Sequence, residues 1–386
     1  MSSVDRDLLE RVRTVLAATP GEATPARVAA ALRNEGAVLG DAAVLEVTAT
    51  LRAEIVGAGP LEPLLREPGV TDVLVNAPDE IWVDRGAGLE RSAARFRDEA
   101  AVRRLAQRLA AGAGRRLDDA VPWVDARLSG GVRLHAVLPP VSPTGTLVSL
   151  RLPARRAFSL DDLVAAGGVA PALEGWLRRL VAARLAFLVT GGTGTGKTTV
   201  LGALLSLVDA GERLVLVEDS GELRPDHPHV VRLEARPPNV EGIGRVALDD
   251  LVRQALRMRP DRLVVGEVRG AEVVDLLAAL NTGHEGGCGT VHANAPSAVP
   301  ARLEALGVAA GLGRDALHSQ VAAALDLVVH LIRDREGRRR VAEVDLLQPG
   351  AGVRVTAVPA LFCDAEGAVR GGPGLDGLRG LVAGRC

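Results

Sequence analysis

Gly191-Gly192-Thr193-Gly194-Thr195-Gly196-Lys197-Thr198 meets every defined position of the phosphate-cradling pattern G-x-x-x-x-G-K-[ST]. The flanks agree with it. Leu185 to Val189 is an apolar run that reads as a buried strand, and Thr199-Val200-Leu201 with Ala203-Leu204-Leu205 reads as a helix opening directly after the loop. In such a turn, glycines let successive backbone N–H groups converge on an anion, and the helix start adds the positive end of its dipole. Lys197 is then expected to reach the β- and γ-phosphates of ATP and the Thr198 hydroxyl to take Mg²⁺, with Gly191 to Gly196 and Thr199 completing the cradle. Lys197 is the one lysine among 46 basic residues. An ammonium is a compact point charge on a flexible stem, and arginine's planar fork does not fill the same space.

Working outward, strands alternate with helices, which predicts an α/β fold with a mostly parallel sheet and helices on both faces. The strand candidates are 185–190, 213–217, 262–266, 287–291 and 327–332. Upstream the texture changes at Gly57-Ala58-Gly59-Pro60. Val70-Thr71-Asp72-Val73-Leu74-Val75, Ile81-Trp82-Val83 and Thr146 to Arg151 read as strands, and Ala100 to Ala111 as a helix. Leu8, Leu9, Val12, Val15 and Leu16 recur at helical spacing before Gly-Glu-Ala-Thr-Pro breaks the run at 21–25. The expected layout is a helical extension over 1–50, a smaller α/β domain over 51–152, a linker over 153–159 and a P-loop domain over 160–348. A glycine-rich tail follows over 349–386, with no element assigned.

Bulk properties narrow the function classes. With 46 basic and 48 acidic residues the net charge is near zero, and aromatics are 2% with no tyrosine, so neither a nucleic-acid-coating protein nor a base-stacking binder is expected. The richness in Arg goes with a general bias toward Ala, Gly and Val and is not functional evidence. Cys288, Cys363 and Cys386 form no C-x-x-C pair, which fits a reducing, cytoplasmic setting. Met1-Ser2-Ser3-Val4-Asp5-Arg6-Asp7 is too charged for a signal peptide and no apolar run reaches transmembrane length, so membrane association is expected to be peripheral.

Two acids follow apolar strands. Arg213-Leu214-Val215-Leu216-Val217 runs into Glu218-Asp219, and Arg262-Leu263-Val264-Val265-Gly266 runs into Glu267. In a parallel sheet both land at the carboxyl ends of strands, the edge on which the phosphate loop sits. One carboxylate there can activate water, and another can hold Mg²⁺ through its water shell. Many P-loop enzymes end the second strand in aspartate, whereas here it ends in Gly266-Glu267, so the division of roles stays open. Asn281 to Asn294 holds His284, Cys288 and His292 spaced by four. One helix through them would line up metal ligands, but Gly283, Gly286, Gly287 and Gly289 argue against that helix. The histidines are candidates for contact with the γ-phosphate, and Cys288 for an oxidant-sensitive thiol.

Taken together, the P-loop, Glu218-Asp219-Ser220-Gly221-Glu222-Leu223, Gly266-Glu267-Val268-Arg269 and Asn281-Thr282-Gly283-His284-Glu285-Gly286 through His292-Ala293-Asn294 resemble the Walker A, Asp box, Walker B and His box of the type II/IV secretion ATPases, in that order. The resemblance extends over about residues 50–345. His229-Val230-Val231-Arg232-Leu233-Glu234-Ala235-Arg236-Pro237-Pro238-Asn239 is most similar to the tight-adherence (Tad) pilus branch, whose members also carry a conjugal-transfer label.

It implies a RecA-like motor domain, preceded by a smaller α/β domain, that hydrolyses Mg-ATP. It also implies a homo-hexameric ring at the cytoplasmic face of the inner membrane, docked on platform proteins of a pilus or secretion system, with no direct nucleic-acid contact expected. The family brings arginines of the smaller domain to the phosphates, and the matching positions are Arg133 in Gly131-Val132-Arg133 and Arg151 in Ser149-Leu150-Arg151. The implied site is Lys197, Thr198, Glu218, Glu267, His284, His292, Arg133 and Arg151. A nucleotide-gated scaffold with little turnover and a conjugative DNA-transfer ATPase are the alternatives.

Overall fold

The computed structural model describes residue 12 and residues 25–35, 57–86, 88–153, 157–238, 242–334, 336–350, 352 and 354–385. They fall into two compact units, one up to Pro153 and one after it. Most of the extension over 1–50 lies outside the described residues, as does the middle of the linker. Within the extension the helix α1, Pro25–Asn34, is described. Among the described residues no helix is long and apolar enough to cross a membrane.

The first unit continues with α2 (Glu62–Arg66), β1 (Asp72–Ala77), β2 (Glu80–Asp84), β3 (Leu89–Arg91), α3 (Glu99–Gly112), β4 (Trp123–Arg127), β5 (Arg133–Val137) and β6 (Leu147–Arg151). Its six strands form one antiparallel sheet in the order β3-β2-β1-β6-β5-β4. Alternation does the sorting. Val73, Val75, Ile81, Val83, Leu134, Ala136, Val148 and Leu150 point to the core that α3 covers, and the residues between them form the other face. Asp98 starts α3 by accepting from the Ala101 N–H at 2.8 Å, and Val102, Leu105, Ala106 and Ala110 make its buried stripe.

The second unit runs α4 (Leu160–Ala165), α5 (Pro171–Ala182), β7 (Phe187–Gly191), α6 (Lys197–Leu205), β8 (Leu214–Glu218), β9 (Val230–Glu234), α7 (Leu248–Ala255), β10 (Arg262–Val268), α8 (Glu272–Leu280), β11 (Cys288–His292), α9 (Val299–Ala309), α10 (Arg314–Ala324), β12 (Leu327–Arg333), β13 (Arg339–Pro349), β14 (Val355–Cys363), β15 (Val369–Gly371) and α11 (Leu375–Arg385). The sheet order is β15-β14-β13-β12-β7-β11-β10-β8-β9. From β12 to β9 every pairing is parallel, and β13 to β15 extend the sheet antiparallel. Each of the five expected strands is present within two residues at either end. Helices cover both faces: α4, α5, α6 and α11 pack with Phe187, Val189, Leu216 and Val264, and α7 to α10 pack with Leu188, Val215, Val265 and Val328.

The sequence left 349–386 as a glycine-rich tail without elements, yet it carries β14, β15 and α11, with Leu378 and Val382 in the core. Pro359 hid the strand, because proline cannot donate to a ladder. It stands opposite Asp345 where the β13–β14 register shifts, the kind of irregularity that tolerates proline.

Candidate active site

All five residues of β7 are buried, and the strand ends where the phosphate loop begins. Gly191 has φ +150°, and a Cβ there would lie 2.5 Å from the Leu331 carbonyl oxygen and 2.7 Å from the Thr195 hydroxyl, so only glycine lets the loop leave the sheet at this point. Thr195 Oγ1 donates to the Gly192 carbonyl at 2.9 Å, and Gly196 in a left-handed conformation opens α6. Lys197 Nζ donates to the carbonyls of Gly191 at 3.1 Å and Gly192 at 2.9 Å, so the ammonium rests on the inner rim of the loop. Burial lowers its pKa; the nearby Glu267 carboxylate works against that and the Arg269 charge with it. Thr198 and Thr199 lie in the first turn of α6.

Parallel pairing brings the acids to the same edge. Val189 ends β7 with Thr190 and Gly191, Glu218 ends β8, and Glu267 lies near the end of β10. Glu218 is 3% exposed. Its Oε1 accepts from the N–H groups of Glu222 and Leu223, both at 2.9 Å, while its buried Oε2 has no hydrogen-bond partner among the described residues. Burial raises its pKa, partly offset by the two N–H donors. Glu267 instead shares a side-chain hydrogen bond with Arg269, whose other terminal nitrogen is 3.7 Å from Asp219. The backbone N–H groups of Arg269 and Gly270 donate to Glu272, which fixes the turn out of β10.

Gly266 now has a physical role that the sequence did not disclose. A Cβ there would stand 2.7 Å from Glu218 Cγ. The missing side chain is the space into which Glu218 folds. Gly266→Ala is therefore expected to displace the Glu218 carboxyl and to lower any hydrolytic kcat about a hundredfold, with the fold retained; phosphate release beside a thermal melt checks this, and a kcat within threefold of wild type would show that the Glu218 position does not matter.

The histidines separate. His292 pairs with Gly191 in the β11–β7 ladder and so stands beside the loop. His284 does not join it. A strand enters a parallel sheet at one edge and leaves at the other, so His284, before β11, sits at the amino edge, about 13 Å from His292 by strand rise alone. There its Nδ1 is 3.1 Å from the Ala279 carbonyl, and neighbouring Gly286 packs on Arg262 and Arg184. The expected γ-phosphate contact by His284 is thus corrected within this unit: the residue holds the turn between α8 and β11. The same strand geometry keeps His284, Cys288 and His292 off a common helical face. Cys288 is 1% exposed and burial pushes its thiol up to about 12, which corrects the expectation of oxidant sensitivity.

In the first unit Arg133 and Arg151 face each other across β5 and β6. Register extends the row to Arg127 on β4 and to Asp72 and Asp84 on β1 and β2. Asp125 accepts from Arg133 Nε at 3.2 Å and Nη2 at 2.9 Å, and Asp72 accepts from Arg151 Nε at 2.9 Å. The guanidinium row, its carboxylate braces and the place of Arg127 in it depend on strand register, which single-sequence patterning does not give.

Comparisons with known proteins bear on the family of the chain. A family model described as Type II/IV secretion system protein matches residues 54–367. The chain is 61% identical over 333 residues, 85% of its length and 94% of the relative's, to a "Putative conjugal transfer protein" of Mycobacterium tuberculosis. It is 33% identical over 315 residues, 74% of its length and 92% of the relative's, to the type IV secretion system protein PtlH of Bordetella pertussis. Among solved structures, the pilus retraction motor PilT with bound ADP matches with a TM-score of 0.53 at 20% identity, over 74% of this chain and 81% of that one, a likeness of fold alone. With a phosphate loop, two acids and a histidine converging on one sheet edge, and a family match across most of its length, the chain belongs to the type II/IV secretion system protein family.

Proposed function

We propose that this protein is a Mg²⁺-dependent ATPase motor of a pilus-assembly or secretion machine, with a RecA-like domain beginning near residue 160 and a smaller α/β domain before it. The observation that carries the reading is that Lys197, just after β7, Glu218, at the end of β8, and Glu267, near the end of β10, stand at the carboxyl edge of one parallel sheet, with Glu267 close enough to act on the Lys197 charge. Lys197 and the loop amides would take the phosphates, and Thr198 would hold Mg²⁺. Glu218, buried with one oxygen uncommitted, suits the general base, and Glu267, solvated and beside Lys197, suits the water shell of the metal. His292 would contact the γ-phosphate. Arg133 and Arg151 would add positive charge to the transferring phosphoryl group, coupling hydrolysis to domain position.

The family resemblance supports a homo-hexamer on inner-membrane platform proteins at the cytoplasmic face, and within the family the Tad branch. Phosphate release from ATP with and without Mg²⁺ tests the reading; a chain that binds ATP tightly yet forms no ADP in a single turnover would be a nucleotide-gated scaffold instead. Glu267→Gln separates the two acids. It is expected to raise the Mg²⁺ needed for half-maximal rate about tenfold while sparing much of kcat at saturating metal. A kcat collapse that extra Mg²⁺ cannot restore would move the base to Glu267. The conjugal-transfer description of the 61% identical relative favours a second reading, a DNA-transfer machine. Stimulation of ATP hydrolysis by DNA, falling as salt rises, would support it.

A further inference from the structure

Behind the phosphate loop, on the sheet face opposite α6, lies a buried hydrogen bond that the proposed chemistry does not use. Thr190 immediately precedes Gly191, and its hydroxyl is 2.8 Å from Nδ1 of His330 on β12. Both side chains are inside, at 0% and 3% exposure. Leu188 and Val328, one pleat earlier on the same face, are core residues, while β13 sets two carboxyls beside the pair: Glu343 opposite His330, and Asp345, 2% exposed, opposite Val328. Burial also lowers the His330 pKa, so the ring stays neutral and can both donate and accept.

Thr190 pairs with His330, and Gly191 with Leu331, in the β7–β12 ladder. The Leu331 carbonyl occupies the space where a Gly191 side chain would be. The first residue of the loop is therefore seated on the backbone of the residue that follows His330. On its other side His330 stands opposite Glu343, and the β12–β13 ladder then shifts register by passing over Ala342 of β13, so that Leu331 stands opposite Val341. The β7–β12 ladder itself runs unbroken from Leu327–Phe187 to Leu331–Gly191, and the Thr190–His330 bond adds a side-chain tie to it at the last pair before the loop.

We propose that His330 is a positioning residue for the nucleotide: through Thr190 it locks β12 to β7 at the strand-to-loop junction and so fixes where the phosphate loop begins. The inference rests on the reading of the chain as nucleotide-binding. A misplaced loop origin shifts every amide that converges on the phosphates, so the effect falls on nucleotide affinity as well as turnover.

The test is a double-mutant cycle in the full chain with Thr190→Val, which removes the hydroxyl at constant shape, His330→Phe, and the pair together. Fluorescent N-methylanthraniloyl-ADP with Mg²⁺ reports Kd, ATP turnover reports KM and kcat, and a thermal melt reports folding. Each single variant is expected to weaken Kd and raise KM about tenfold, the double no further, and Thr190→Ser to stay within twofold of wild type. Losses that multiply in the double variant would overturn the tie. Variants that melt earlier but keep Kd and KM within twofold would reduce His330 to a structural residue and overturn the inference alone. A wild-type chain that binds no nucleotide would overturn it together with the functional reading.

Discussion

Lys197→Ala is expected to lower Mg²⁺-dependent phosphate release from ATP by about a hundredfold to a thousandfold, the cost of deleting a pre-placed positive group from a site of developing charge. The ammonium already lies on the rim of the loop, held by the Gly191 and Gly192 carbonyls. Its lowered pKa records that it is partly desolvated, which makes its Coulombic attraction for a phosphate stronger than that of a surface lysine. Folding is a separate matter. The two hydrogen bonds go to the carbonyls of buried Gly191 and half-buried Gly192, at about 1 kcal/mol each, so the melting temperature is expected to fall by a few degrees at most. Lys197→Arg should not rescue turnover, because the wider planar guanidinium does not fit the same curl of backbone. Equal turnover in Lys197→Ala and wild type, at equal melting temperature, would refute the site. A lysine-selective reagent gives an independent view, since Lys197 is the one lysine in the chain and ATP should protect it.

The parallel strands were legible for a physical reason. β8 and β10 are buried on both faces, so they read as uninterrupted apolar runs such as Leu214 to Val217 and Leu263 to Val265, and the glycine-rich loop after β7 has its own signature. The open face of the first unit's sheet blurred its strands. Arg133-Leu134-His135-Ala136-Val137 alternates, but over only five residues and with small Ala136 as one of its two core positions, so its period is short and weak. What escaped altogether depends on pairing: the alignment of Arg127, Arg133 and Arg151, the seat of Gly191 on Leu331, and the edge on which His284 falls. Gly266 was visible as a departure from the common aspartate, but its reason, room for Glu218 from the neighbouring strand, is a contact between residues 48 positions apart.

Glu218→Gln is expected to lower kcat by about a hundredfold to ten-thousandfold, the range for loss of a positioned base, while nucleotide affinity stays near wild type. The amide is the right shape to keep accepting from the Glu222 and Leu223 N–H groups through its oxygen, so the loop over the site should hold. What is lost is the proton-accepting charge on the second oxygen, which lies buried and uncommitted. The pH dependence follows from burial raising the Glu218 pKa. A base works when deprotonated, so wild-type kcat should fall as pH drops through this raised value, giving an acid limb above the ordinary carboxylate range, and Glu218→Gln should lack that limb. Stability runs the other way. A carboxyl whose folded pKa is raised holds its proton in the folded chain after the unfolded chain has released it, so over that interval the unfolded state binds fewer protons and stability declines as pH rises. Glutamine has no such decline, so the variant should gain melting temperature relative to wild type between the ordinary carboxylate pKa and the raised one, then keep that gain at higher pH. Loss of rate together with a gain in stability marks a buried charge kept for chemistry rather than for folding. A variant that lost both, or a wild-type acid limb no higher than that of a free carboxylate, would make Glu218 a structural brace for the 219–223 turn instead.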